Sequence, residues 1–213
     1  MNEYVRPAVE QRVLTDGSGT VIPYGRRWEG SPPDGTYSVT AHPERFAPLH
    51  AVAHALIAHL VTTYDATAED DPAAAAREGA AIGREARAVT VLPASPDASP
   101  LTFVLTDFPG VLLRAGALTQ DAFPHCGCDA CDDDVVRLVE DLEGFVLGVV
   151  AGGLSESVVD GEELRIGSRL VLADGAGESS GWTPAEPEQL VRLEERGISA
   201  PWSRDWAAWS RRG

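Results

Sequence analysis

Two stretches of this chain repeat their apolar residues every three to four positions, and they constrain its fold more than any other feature. In the first, Leu49, Val52, Ala53, Leu56, Leu60 and Tyr64 recur at helical spacing, with Pro48 in the first turn, where proline is tolerated. In the second, Val135, Val139, Leu142, Val146 and Val149 share one face. The pattern predicts two amphipathic helices, over about 48–64 and 132–150. Between them lie three β-prone runs, "ARAVTVLP", "LTFVLTDF" and "GVLLRAG", punctuated by proline, aspartate, serine and glycine. Val9–Tyr24 reads as a hairpin about an Asp-Gly turn, "ELRIGSRLVLADGAGESSGW" as further strands and turns, and Pro187–Arg196 as a short helix. Helices set apart from runs of strands predict an α+β fold, with a mainly antiparallel sheet packed against the two long helices.

A chain of 213 residues with 44% hydrophobic and 23% charged residues can build a sizeable core, so one domain over 1–213 is expected. Residues 66–86 are low in complexity and are expected to form a short helix or a mobile surface segment. The tail "PWSRDWAAWSRRG" spaces Trp202, Trp206 and Trp209 for one helical face, a stripe expected to dock on the chain's own core rather than on a partner.

The net charge is −16, and all seventeen positive charges are arginine. Abundant alanine, glycine and proline suggest a GC-rich genome as the origin of the missing lysine. Such acidity argues against nucleic-acid binding, which needs a basic footprint, and against adsorption to anionic membranes. The run "FVLGVVAGGL" is far short of the ~20 residues of a membrane helix, and "MNEYVRPAVEQ" lacks the apolar segment of a signal peptide. Three cysteines close together cannot staple distant parts of a fold, so a reducing cytoplasm is the expected compartment.

Those cysteines are the main chemical feature. In "FPHCGCDACDDDVVRLVEDLEGF", His125, Cys126, Cys128 and Cys131 offer the soft ligands zinc prefers. Consecutive His125 and Cys126 diverge too much to grip one ion, and no second ligand pair follows. The candidate metal site is therefore Cys126, Cys128 and Cys131 with a fourth ligand from elsewhere. His50 and His54, one turn apart on the first helix, are the candidates for it, whereas His59 falls on the opposite flank. Alone, that pair lacks the glutamate of a metalloprotease helix, since Ala51 follows His50. A redox reading rests on Cys128 and Cys131 at a helix start, but the aspartates behind them disfavour a thiolate. The third reading is purely structural, with Asp132–Asp134 complementing the helix N-terminus and the cysteines packing as small apolar residues. "GESSG" matches a nucleophile elbow in letters only, because Pro184 blocks the helix it needs and no histidine follows His125. No catalytic residues emerge.

Taken together, "YVRPAV", "YSV" with "HPERFAPLH", "LTFVLTDFPGV" and above all "CGCDACDDD" resemble an uncharacterised actinobacterial family, a domain of unknown function, over about Tyr4 to Glu156. The resemblance implies no activity and assigns no residue a role. The residues themselves favour a cytoplasmic, non-enzymatic protein with a zinc-binding cysteine loop and a binding or regulatory role. Two alternatives stay open: an immunity or antitoxin-type protein that neutralises a basic protein partner through its charge, and a metal-dependent or thiol-based enzyme. The sequence leaves the oligomeric state undetermined.

Overall fold

Antiparallel pairing of consecutive strands organises the chain into two sheets. A computed structural model describes residues 3–10, 12–82, 84–173, 175 and 177–213, without the side chains of residues 81, 82 and 188. The first sheet orders β1 (Ala66–Asp70), β2 (Ala86–Pro93), β3 (Leu101–Thr106), β4 (Val111–Ala115) and β5 (Thr119–Phe123) as a simple meander. The second orders β8 (Glu178–Pro184), β7 (Arg165–Val171), β6 (Leu154–Val159) and β9 (Trp202–Asp205). Helices α1 (Pro48–Thr63), α2 (Pro72–Ile82), α3 (Val135–Val150) and α4 (Pro187–Glu195) complete an α+β fold.

Both long helices form where the apolar spacing put them. Helix α1 buries Leu49, Val52, Ala53, Leu56 and Leu60, and packs beside α3 and against the inner face of the first sheet. That face presents Val91, Leu101, Phe103 and Leu113, all fully buried. Pro43–Thr63 has the length and apolarity to cross a membrane by those criteria alone, but here α1 spends its apolar face on the core. Helix α2 covers part of the outer face, where Ala74 meets Ala88 and Val104 in a small second cluster.

Three expectations are refined. Within 66–86 the expected short helix forms as α2, and Ala66–Asp70 adds a strand, because β2 offers an edge with which it pairs in register. The tail is not helical: Trp202–Asp205 pairs with β6, and only beyond it do Trp206 and Trp209 bury their rings. Docking therefore holds although the helix does not. Trp209 donates its indole N–H to the Ser99 carbonyl at 3.0 Å, and the Arg212 guanidinium caps the carbonyls of Tyr64 and Ala66. Between Val9 and Tyr24 a tight turn forms, with Thr15 bridging Val21, but no extended strands form among the described residues.

Where β6 meets β5, Glu156 is buried at 1% exposure. One carboxylate oxygen accepts the backbone N–H groups of Leu118 and Thr119 and the Thr119 hydroxyl; the other accepts the Ala117 N–H and the Trp206 indole. All these contacts are 2.7–2.8 Å long. A buried carboxylate is tolerated only with such full satisfaction, and here it ties a turn of the first sheet to the second.

Candidate metal centre

The cysteine loop joins β5 to α3, and the side chains that hold it come mainly from the irregular segment before α1. Gly127 (φ +78°) allows the loop to turn, and a Cβ there would lie 2.7 Å from the Phe108 ring. The Gly127 carbonyl accepts the Thr40 hydroxyl and the Arg45 guanidinium, both at 3.1 Å. Backbone bonds fasten Asp129 to Val39 and Ala130 to Thr36.

Each aspartate of the motif has a separate task. Asp129, buried, lies 3.7 Å from the Arg27 guanidinium and 3.6 Å from that of Arg45, and accepts the Ala41 N–H. Asp132, itself at φ +52°, accepts the Arg27 backbone N–H at 2.7 Å. Asp133 accepts from the Gly127 backbone, and burial raises its carboxyl pKa. Only Asp134 caps the helix, accepting from Val136 at 3.0 Å, which is why α3 begins at Val135 rather than near 132. The reading of all three aspartates as helix-end charge is thus corrected: two of them fold back to hold the loop.

This frame gathers three thiols. The Sγ atoms of Cys126, Cys128 and Cys131 all lie within 4.8 Å of one another, with Cys128 and Cys131 at 3.5 Å. Cys128 is buried, whereas Cys126 and Cys131 face solvent. Burial pushes the Cys128 thiol up, but donors to its sulfur outweigh this: the Cys131 backbone N–H, the two neighbouring thiols, and the backbone N–H of Ser38. The net effect is a pKa lowered to about 7, while burial and the two adjacent sulfurs push Cys131 up to about 12. Cys128 therefore ionises before Cys131, and the left-handed Ser38 (φ +57°) serves it.

Zinc bound tetrahedrally to thiolates about 2.3 Å away spaces its sulfurs roughly 3.8 Å apart. The three thiols fit that requirement. Among the described residues no histidine, aspartate or glutamate joins them in a cluster. His125 points to Asp121, with its Nε2 at 2.9 Å, and its side chain is 75% exposed. His50 and His54, expected to complete the site, are not part of the cluster. His50 Nε2 donates to the Gly110 carbonyl at 3.0 Å, and both histidines line a cleft with Glu85, Arg87, Thr106 and Asp107. His50 is instead committed to the Gly110 carbonyl, while the Phe108 ring packs on Gly127 of the cysteine loop.

Burial holds the His50 imidazole below its ordinary value of 6.5, with a smaller push from His54, against the opposing bond to Gly110. The unfolded chain therefore takes up this proton first. Stability from this site is complete above about pH 6.5 and is lost as pH falls toward the folded value. Urea unfolding at about pH 7 and about pH 5 should show the loss, and His50→Asn should flatten it. An unchanged slope in that variant would remove His50 from the explanation.

Fold and loop together define an α+β protein carrying three thiols placed closely enough to hold a metal ion. The chain belongs to a family of unknown function, DUF6226, whose pattern matches residues 10–213. Neither a curated protein nor a solved structure matches it.

Proposed function

We propose that the chain is a zinc-binding protein of a reducing compartment, with Cys126, Cys128 and Cys131 as thiolate ligands and a binding or regulatory role. The observation that carries this reading is the gathering of three sulfurs on one loop that Thr40, Arg45 and the Arg27 backbone hold by hydrogen bonds. Backbone N–H groups aimed at a cysteine sulfur stabilise a thiolate, the form a metal binds. With no fourth ligand in the cluster among the described residues, the three thiolates would hold the ion and leave one position to water or another exchangeable group.

Elemental analysis of untagged protein, beside thiol titration with and without denaturant, tests the reading. About one zinc per chain is expected, with the thiols slow to react until a chelator is added. Three freely reactive thiols and no bound zinc would end it. The 3.5 Å approach of Cys128 to Cys131, with the lowered Cys128 pKa, favours a second reading as a dithiol pair. That pair would close to a disulfide by exchange with an external disulfide, which is reduced to two thiols. In that case the metal-free protein loses two of its three thiols on oxidation, and the geometry then serves exchange rather than zinc.

A further inference from the structure

One cleft on the outer face of the first sheet gathers arginines in a chain that is acidic overall. Strand register aligns Glu69, Thr90, Thr102, Arg114 and Gln120 in one row across β1 to β5, and directly opposed residues share a face. Above this row a cleft of about 340 Å³ opens between α2 and α4. It is lined by Arg77 from α2, Arg114 from β4, Arg192 from α4 and Arg196 just beyond that helix. A chain with 17 arginines against 33 acids has thus brought four guanidiniums from three elements to one cavity of small-molecule size.

The acids nearby are largely committed. Asp71 accepts the Ala74 N–H at 2.8 Å and the Thr90 hydroxyl at 3.0 Å. Glu78, buried, lies between Arg114 at 2.6 Å and Arg77 at 3.3 Å, one carboxylate serving two guanidiniums. Among the described residues, Asp71 and Glu195 are the acids that line the cleft, and Arg192 donates to the amide of Gln120 at 3.3 Å. The turn at the floor offers no donors, because the Ala117, Leu118 and Thr119 amides all point to Glu156. Anion recognition here falls to the arginines, whose planar forks suit a carboxylate or a phosphate.

We propose that this cleft binds a small oxyanion-bearing molecule, a phosphate ester or a dicarboxylate, gripped by Arg77, Arg114, Arg192 and Arg196. The site is separate from the cysteine loop and does not rest on the zinc reading. Calorimetric titration of the full chain with inorganic phosphate and, separately, with succinate tests it. Arg77→Gln combined with Arg196→Gln removes two solvent-facing charges, and an unchanged melting curve without ligand checks that the fold survives. Saturable binding of either probe, weakened about tenfold or more in the double variant and by added salt, is the expected result. The tighter probe then tells phosphate from carboxylate. No binding of either probe up to about 10 mM, or an affinity untouched by the double substitution, would overturn the proposal.

Discussion

Glu156→Ala is expected to be the most damaging single substitution in this fold, costing about 4 kcal/mol or more. It leaves the Ala117, Leu118 and Thr119 amides and the Trp206 indole without their acceptor in a site closed to solvent. Each buried donor so abandoned costs about 1–3 kcal/mol, and a domain has only about 5–15 kcal/mol to lose. Glu156→Gln is not conservative either. Donors surround both oxygens, so the amide NH₂ must face one group of them; about 2–3 kcal/mol is expected. Gly116→Ala attacks the same place from the other side, because its Cβ would press on the Glu156 carboxylate and lie 2.7 Å from the Trp206 indole nitrogen. Urea unfolding followed by tryptophan fluorescence measures all three. A glutamine variant as stable as the parent would show that the carboxylate is not the common acceptor described.

The second large effect is expected at Arg45. Its guanidinium is buried, bonds the Gly127 carbonyl, lies 3.6 Å from Asp129 and stacks over Tyr24 and Phe46 at 4.2 Å each. Arg45→Ala leaves Asp129 with Arg27 alone as an ion-pair partner among the described residues and frees one side of the loop. Breaking a buried ion pair in this way costs roughly 3 kcal/mol, and losing an outer partner of metal ligands weakens the metal about 10–100-fold. Arg45→Lys keeps the charge but not the fork, so an intermediate loss is expected. Competition with a chromophoric chelator measures the affinity. A variant that unfolds more easily yet holds zinc as tightly as the parent would place Arg45 in the fold alone.

The long helices were legible because each needs one apolar stripe, and Leu49 to Leu60 and Val135 to Val149 supply it locally. The tail misled for a related reason: Trp202, Trp206 and Trp209 fit a helical spacing, but Pro201 precedes them and the open edge of β6 was available. Spacing over so few residues does not distinguish a helix from a strand followed by two anchors. Glu156 too has a signal in the sequence. In "LSESVV" it alternates with Leu154 and Val158, which places an acid on the buried face of a strand. The cysteine loop is visible as a ligand set, but the residues that hold it are not, because Ser38, Thr40 and Arg45 lie far away in sequence and nothing in "YSV" or "HPERFAPLH" marks them as partners of the loop. The same holds for the arginine cleft, assembled from α2, β4 and α4 only once the sheet has formed.

The fastening of residues 206–212 also bears on biosynthesis. Trp209 closes on Ser99, and Arg212 on Tyr64 and Ala66, so segments made early wait for partners made late. Contacts of such long sequence separation are slow to form. On the ribosome, the meander and α1 will emerge with the Tyr64–Ala66 junction still open and Glu156 without its indole. Nascent chains stalled before Trp206 should therefore remain protease-sensitive, and protection should arrive in one late step as the tryptophans clear the exit tunnel.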